Sequence, residues 1–434
     1  MRKNKVDIIT LGCSKNLVDS EQLMYQFKAN GYTVTHDPDK VNGEITVVNT
    51  CGFIGDAQDE SVQMILELEE AKRKGQIGKL FVMGCLSERF MDELKHEITG
   101  VDRFYGKFDW KNLLNDLGKS FYTHQQYDRI LTTPPHYAYL KIAEGCNRHC
   151  SFCSIPIMTG KYQSRPMDAI VSEAHLLAAK GVKELQVIAQ DLTYYGLDLY
   201  KKASLPELVK RLSDVKGIAW IRLHYAYPAR FPYDLLQVMR ERDNVCNYLD
   251  IALQHITDRM LKKMRRPVSR KETYDLVNTI RREVPGVHLR TTLMTGHPGE
   301  TEDDFNELVA FVKEIRFERL GVFAYSHETG TYSYAHYKDE VPDDIKQHRL
   351  DTIMRIQQRI SMQINKKKIG KIFKTIIDRK EGDFYVGRTQ FDSPEIDTEV
   401  LINSDKLLKI GTFYNVLIEK AELYDLFGKT LFFQ

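Results

Sequence analysis

Near the amino terminus, apolar residues come in short β-branched runs, each followed by a helical repeat. Val6-Asp7-Ile8-Ile9-Thr10-Leu11-Gly12, Glu44-Ile45-Thr46-Val47-Val48-Asn49-Thr50 and Lys79-Leu80-Phe81-Val82-Met83-Gly84 have the length and composition of buried strands. After the first run, Asp19 or Ser20 is placed to cap a helix through Leu23, Met24 and Phe27. After the second, Asp59-Glu60-Ser61 leads into Val62, Met64, Ile65 and Leu68. Strands recurring about every 35 residues with helices between them predict βαβ units of a parallel sheet.

The same alternation recurs six times further on. Strand-like runs stand at 139–145, 184–190, 219–225, 248–254, 287–294 and 319–325, with amphipathic stretches such as Met167 to Ala179 and Tyr274 to Val284 between them. Six βα units predict an open, partial (β/α)6 barrel. A helix over 343–368 follows, and its closing Lys366-Lys367-Lys368 suits the negative end of a helix dipole. Short alternating runs then appear at Ile372 to Asp378, Asp383 to Thr389, Ile396 to Ile402 and Thr412 to Lys420. Turns at Glu381-Gly382 and Asp392-Ser393-Pro394 divide them, the pattern of a small antiparallel β-barrel. The expected fold class is α/β, in three domains: a parallel α/β domain over 1–125, the partial barrel over 135–362 and the small barrel over 366–434.

Composition narrows the function. The 434 residues hold 62 Lys and Arg against 60 Asp and Glu, a net charge of +2 that gives no global pull toward nucleic acid or membrane. The basic start MRKNKVDIIT has too short an apolar run for a signal peptide, and nothing approaches a membrane span. A soluble cytoplasmic protein is expected. Its seven cysteines, an odd number, then point to metal or redox chemistry rather than disulfides.

Three cysteines stand in Glu144-Gly145-Cys146-Asn147-Arg148-His149-Cys150-Ser151-Phe152-Cys153. In a four-iron, four-sulfur cube each iron takes one cysteine, so three thiolates leave the fourth iron open to chelation by a small molecule. That is the arrangement for binding S-adenosylmethionine and cleaving it reductively to a carbon radical. The alternative is a zinc knuckle with His149 as fourth ligand. Zinc sites normally pair their ligands, however, and no second Cys-x-x-Cys follows.

Cys13, Cys51 and Cys85 close the three amino-terminal strand runs. Parallel sheets bind ligands beyond their strands' carboxyl ends, so all three emerge on one edge as a second three-thiolate constellation. The bland reading of each is a small buried hydrophobe. Cys246 has no partner in the pattern and is assigned a structural role. The strand-end rule also singles out Gln190, Asp191, Arg222, His224, Gln254, His255, Glu300 and Ser326. Gly296-His297-Pro298-Gly299-Glu300 would admit a ligand close to its backbone, and equally describes a tight turn before a helix capped by Thr301.

These residues resemble the radical S-adenosylmethionine methylthiotransferases over essentially the whole chain. The matching pieces are Leu11 to Asn16 with Val18-Asp19-Ser20-Glu21, Asn49 to Ile54, Gly84-Cys85-Leu86, the Glu144 to Cys153 loop, Ala189-Gln190-Asp191, Leu253 to Ile256, Gly296 to Thr301 and Gly387-Arg388-Thr389. The tail resembles the family's TRAM domain. The resemblance implies two [4Fe-4S] clusters, one on Cys146, Cys150 and Cys153 and one on Cys13, Cys51 and Cys85. It also implies S-adenosylmethionine both as radical source and as methyl donor, and a separate electron donor. With strand-end position, it places Phe152 against the adenine and Gln190, Gln254 and Glu300 toward the ribose and amino-acid ends. Two departures stand out: Thr159 replaces the family's usual arginine before Gly160, and His297 replaces a hydrophobic residue.

One branch of the family modifies an adenosine in transfer RNA. The other modifies the β-carbon of an aspartate in ribosomal protein S-twelve of the small ribosomal subunit. Val18 to Glu21 and the acidic run from Gly387 to Asp397 resemble the second. From Lys371 onward nine Lys or Arg face eleven Asp or Glu, whereas a barrel tracking RNA should be basic. An acidic barrel would steer a basic ribosomal protein by long-range attraction, chiefly through Asp392, Glu395, Asp397 and Glu399. The expected protein is a monomeric methylthiotransferase acting on ribosomal protein S-twelve, with the transfer RNA enzyme as the alternative.

Overall fold

The protein is described from a computed structural model covering residues 1–123 and 127–431. The expected domain limits at 125 and 434 lie outside the described residues. Five parallel strands form the first sheet in the order β2-β1-β3-β4-β5: β1 (Arg2–Thr10), β2 (Thr33–His36), β3 (Gly43–Thr50), β4 (Lys79–Gly84) and β5 (Arg103–Phe104). The three expected strands are its centre, held by buried Val6, Ile8, Leu23, Phe27, Val47 and Phe81. β2 and β5 have only four and two residues, too few for a periodic signal.

The first helix starts at Ser14, so Asp19 and Ser20 are not caps but buried residues inside it. Tertiary partners explain why: Ser20 Oγ accepts from Thr10 Oγ1 at 2.7 Å and Asn49 Nδ2 at 3.0 Å, and Asp19 meets lysines from outside the helix.

The middle sheet is open and all-parallel, with β6 (Tyr137–Lys141) at one edge. A two-stranded ribbon, β7 (Ala143–Glu144) against β8 (Gln163–Ser164), stands beside it. The sheet continues through β9 (Glu184–Ile188), β10 (Trp220–Ala226), β11 (Val245–Ile251) and β12 (His288–Thr295) to β13 (Arg319–Ala324). The expected strand 139–145 breaks at Ile142, whose N–H bonds Ile188 O while its carbonyl accepts from Arg165 N. The chain thereby leaves the sheet just before the cysteine loop. The helix Asp343–Lys366 packs on β12 and β13.

The tail closes as a five-stranded barrel, β14 (Ile372–Glu381), β15 (Phe384–Thr389), β16 (Glu399–Asn403), β17 (Phe413–Ala421) and β18 (Asp425–Thr430), in the order β14-β15-β16-β18-β17. β18 was not among the expected strands, and its pairing with β16 is parallel in an otherwise antiparallel barrel.

Buried charges join this barrel to the middle sheet. Arg222 of β10 and Arg388 of β15 share Glu184 of β9, at 2.9 and 2.8 Å, and Arg388 also pairs with Asp378 at 2.6 Å. Arg319 pairs with Asp392, Tyr248 Oη donates to Asp397 at 2.9 Å and Tyr137 Oη to Glu395 at 2.9 Å. Glu399 is taken by Arg379 within the barrel. This overturns the expected steering role: the carboxylates of Asp392 and Asp397 face inward and are neutralised, so they project little field. Reversing their charge would open this interface rather than slow capture of a basic partner. Among the described residues no helix is long and apolar enough to cross a membrane.

Candidate functional site

Cys13, Cys51 and Cys85 follow three neighbouring strands, β1, β3 and β4, at their carboxyl ends. A side chain on Gly12, at φ +90°, would put Cβ 2.8 Å from Cys51 Sγ, so glycine lets the Cys13 turn close on Cys51. Asn16 spans the edge: Nδ2 donates to Leu11 O and Thr50 O, both at 3.0 Å, and Oδ1 faces Cys85 Sγ at 3.6 Å. Burial pushes the Cys51 thiol up and that of Cys85 up to about 12, with Cys13 and Cys51 near enough to add to the rise. Such thiols ionise when a metal takes the proton's place.

Cys146, Cys150 and Cys153 lie on the loop between β7 and β8. Gly145, at φ +76°, turns it so tightly that a Cβ would meet Lys161 O at 2.2 Å. Cys146 Sγ accepts from Arg148 N at 3.4 Å; Cys150 Sγ lies 3.5 Å from Arg266 Nη1 and 3.8 Å from Tyr227 Oη. Arg148 pairs with Asp191 at 2.8 Å and lies over the Tyr227 ring at 4.1 Å. Burial pushes Cys146 up to about 11 and Cys153 higher still.

His297 fastens the loop. Nδ1 lies 3.1 Å from Pro298 O, which can only accept, leaving Nε2 to accept from Ser151 Oγ at 3.0 Å and Ser333 Oγ at 3.1 Å. Burial lowers the ring to about 4, so it stays neutral near pH 7. Thr159 Oγ1 donates to Ile155 O at 2.9 Å and is spent within its own short helix.

The donor sets fit clusters better than single ions. All seven cysteines are free, and Cys246 is buried among Trp220, Tyr248 and Ile376. Among the described residues no three His, Cys, Asp or Glu groups converge as one metal ion requires, and His149 is exposed. Among the described residues no zinc-knuckle ligand set is assembled. Thiolates of a cube bind different irons and stand farther apart.

Between the trios runs a buried network not expected from the sequence. Lys107 Nζ lies 3.2 Å from Glu144 and 3.9 Å from Asp19, and Lys141 Nζ lies 2.7 Å from Glu144 and bonds Asp19. Gln190 Nε2 donates to Glu144 at 2.9 Å, while its Oε1 is buried without a partner. Asp19 lies on the helix after Cys13 and Glu144 two residues before Cys146, so these groups tie one trio to the other. Burial would raise the Glu144 carboxyl, but Lys141 and Lys107 hold it well below the usual range. The one sequence signal was Asn16, Asp19, Ser20 and Glu21 crowded on one short helical stretch.

Phe152 is half-buried, its ring edge-on to His297 at 6.4 Å. Gln254 has φ +71° and is pinned by backbone bonds to Thr292 O and from Met294 N, both 2.8 Å. Glu300 is already engaged: it accepts from Gly296 N at 3.0 Å and pairs with Arg349 at 2.8 Å, fixing the turn after β12. A cavity of about 510 Å³, lined by Arg290, Arg319, Met354, Asp397 and Tyr424 among others, includes none of the six cysteines.

On the sheet's interior face, burial pushes the Asp250 carboxyl up to about 6 from an ordinary 3.8. The folded state then favours its protonated form, so its contribution is best below about pH 4 and is lost as pH rises through 6. Asp250→Asn should be near neutral at pH 4 and stabilising by about 2–3 kcal/mol at pH 7.5, read from denaturant midpoints.

Comparison with known proteins completes the assignment. The Radical SAM superfamily matches residues 140–312, Uncharacterized protein family UPF0004 residues 5–106 and the TRAM domain residues 369–431. The Ribosomal protein uS12 methylthiotransferase RimO of Parabacteroides distasonis is 69% identical over 431 residues, covering 99% of this chain and 100% of that protein. The chain belongs to the RimO family. The RimO of Phocaeicola vulgatus is 62% identical, again over 99% of this chain and 100% of its own. Among solved structures, the radical S-adenosylmethionine methyltransferase TsrM of Kitasatospora setae aligns with a TM-score of 0.55 at 14% identity, over 74% of this chain and 72% of that one. The cobalamin-dependent radical enzyme OxsB gives 0.52 at 12%, over 80% and 56%. Both share the fold alone.

Proposed function

We propose that this RimO family member attaches a methylthio group to the β-carbon of an aspartate in ribosomal protein uS12. The observation supporting it most is the pair of cysteine trios joined by one buried charge network, in a chain 69% identical to a uS12 methylthiotransferase along its length. An unactivated carbon–hydrogen bond offers no acidic proton near pH 7, so general-base chemistry is unpromising. When bound, clusters on the two trios supply the electron that cleaves S-adenosylmethionine to a carbon radical and the sulfur that is transferred.

This chain's own residues bind and orient. Cys146, Cys150 and Cys153 hold one cluster, and Cys13, Cys51 and Cys85 the other. Phe152 and Gln190 stand beside the first for the adenosyl and amino-acid parts of S-adenosylmethionine. Gln254 lines the sheet's open edge, and Glu300 keeps the Gly296 turn in place. His297 holds Ser151, and with it the cysteine loop. The enzyme works as a monomer with a separate one-electron donor. The transfer RNA reading lacks support: the full-length relatives are named for uS12.

Anaerobically reconstituted protein, given S-adenosylmethionine, a reductant, a uS12 peptide holding the target aspartate and unmodified transfer RNA, should return the peptide with a methylthio group on its aspartate. A modified adenosine in transfer RNA, with the peptide unchanged, would overturn the proposal.

A further inference from the structure

Lys15 is a largely buried residue whose ammonium keeps accessible surface and has no anion beside it. It is 9% exposed, sits two residues beyond Cys13, and its ammonium makes no ion pair or hydrogen bond among the described residues. The ammonium sits over the Tyr225 ring, 3.6 Å from its centroid. Tyr225, near the carboxyl end of β10, is held at φ +66°, a conformation that side chains other than glycine's rarely adopt. Lys107 and Lys141 are matched by Asp19 and Glu144, Arg222 and Arg388 by Glu184, and Arg319 by Asp392, whereas Lys368, buried at the barrel contact, also lacks an ion pair among the described residues. A ring face holds an ammonium less strongly than a carboxylate does, so the site is open to an anion.

The charge also faces the right space. It reaches into the middle sheet's interior, where it acts on His224 and Asp250. Lys15 thus lies between the first cysteine trio and the open face of the parallel strands. A substrate aspartate brings its own anion, one bond from the carbon to be modified. Seating that carboxylate on Lys15 would hold the β-carbon beside the trio that begins at Cys13, and would neutralise a cation otherwise left alone.

We propose that Lys15 receives the side-chain carboxylate of the substrate aspartate, as a positioning and specificity-determining residue; this rests on the aspartate reading above. It deepens that reading by naming the group that tells aspartate from asparagine, since the amide can accept a hydrogen bond from the ammonium but has no negative charge to pair with it.

The test compares two synthetic uS12 loop peptides, one with the target aspartate and one with asparagine there, for affinity to the reconstituted holoenzyme. The native protein should prefer the aspartate peptide by about tenfold or more. Lys15→Met should bring the ratio to within about twofold, and Lys15→Arg, which keeps the charge, should retain most of it. Because each ratio is taken on one preparation, a smaller folded fraction lowers both signals and leaves it unchanged. A Lys15→Met ratio equal to the native one would overturn the assignment. A native protein that modifies no uS12 peptide at all would instead overturn the function on which it rests.

Discussion

Replacing Cys13, Cys51 and Cys85 together by alanine is expected to halve the bound iron, from about eight to about four per chain, and to abolish methylthio transfer. Cleavage of S-adenosylmethionine should continue, because the loop of Cys146, Cys150 and Cys153 is built from different strands and keeps its own contacts to Arg148, Arg266 and His297. Replacing Cys146, Cys150 and Cys153 should also halve the iron but remove cleavage and transfer alike. The asymmetry follows from the division of labour between the trios. Iron and sulfide analysis with product chromatography reads both outcomes, and full iron content in the first variant would refute the second site. Alanine at these positions removes one sulfur atom each from strand ends and a loop, a far milder structural change than the loss of function expected.

The next largest effect is on stability, at Glu184. This carboxylate is fully buried at the start of β9 and is shared by Arg222 and Arg388. Burial alone would raise it, but Arg388 and Arg222 more than offset that and hold it below the usual range. Glu184→Gln leaves two arginines inside the interface with one anion fewer, a change of about 3–5 kcal/mol for a broken buried pair. Loosening of the carboxyl-terminal barrel should appear as a lower denaturant midpoint and as early proteolysis ahead of β14. Glu395→Gln, on an exposed residue whose one bond among the described residues is from Tyr137, serves as the contrast and should change little. A Glu184→Gln protein as stable as the native one would show that the barrel is held by its apolar contacts instead.

How much of this was legible in the sequence depended on the range of the interactions involved. The strands β1, β3 and β4 and the six of the middle sheet announce themselves because a buried parallel strand is a continuous apolar run. Their order brings Cys13, Cys51 and Cys85 to one edge without any knowledge of contacts. The short strands β2 and β5 and the parallel-paired β18 left no such trace. The caps assigned to Asp19 and Ser20 failed because their partners, Lys141 and Asn49, lie 122 and 29 residues away. The acidic run from Asp392 to Glu399 looked like a surface field for the same reason. Its counter-charges Arg319 and Arg379 and its partner Tyr248 belong to other stretches of chain. Lys107 is the clearest omission: a lone lysine after a two-residue strand, it becomes part of the site only when the two cysteine domains are brought together.

The central claim, that uS12 is the substrate, is tested most directly by mass spectrometry of ribosomal protein uS12 and of total transfer RNA from cells lacking this gene. In such cells uS12 is expected to lose one methylthio group from its aspartate while methylthioadenosine in transfer RNA stays at its usual level. Loss of the adenosine modification, with the aspartate still modified, would contradict it.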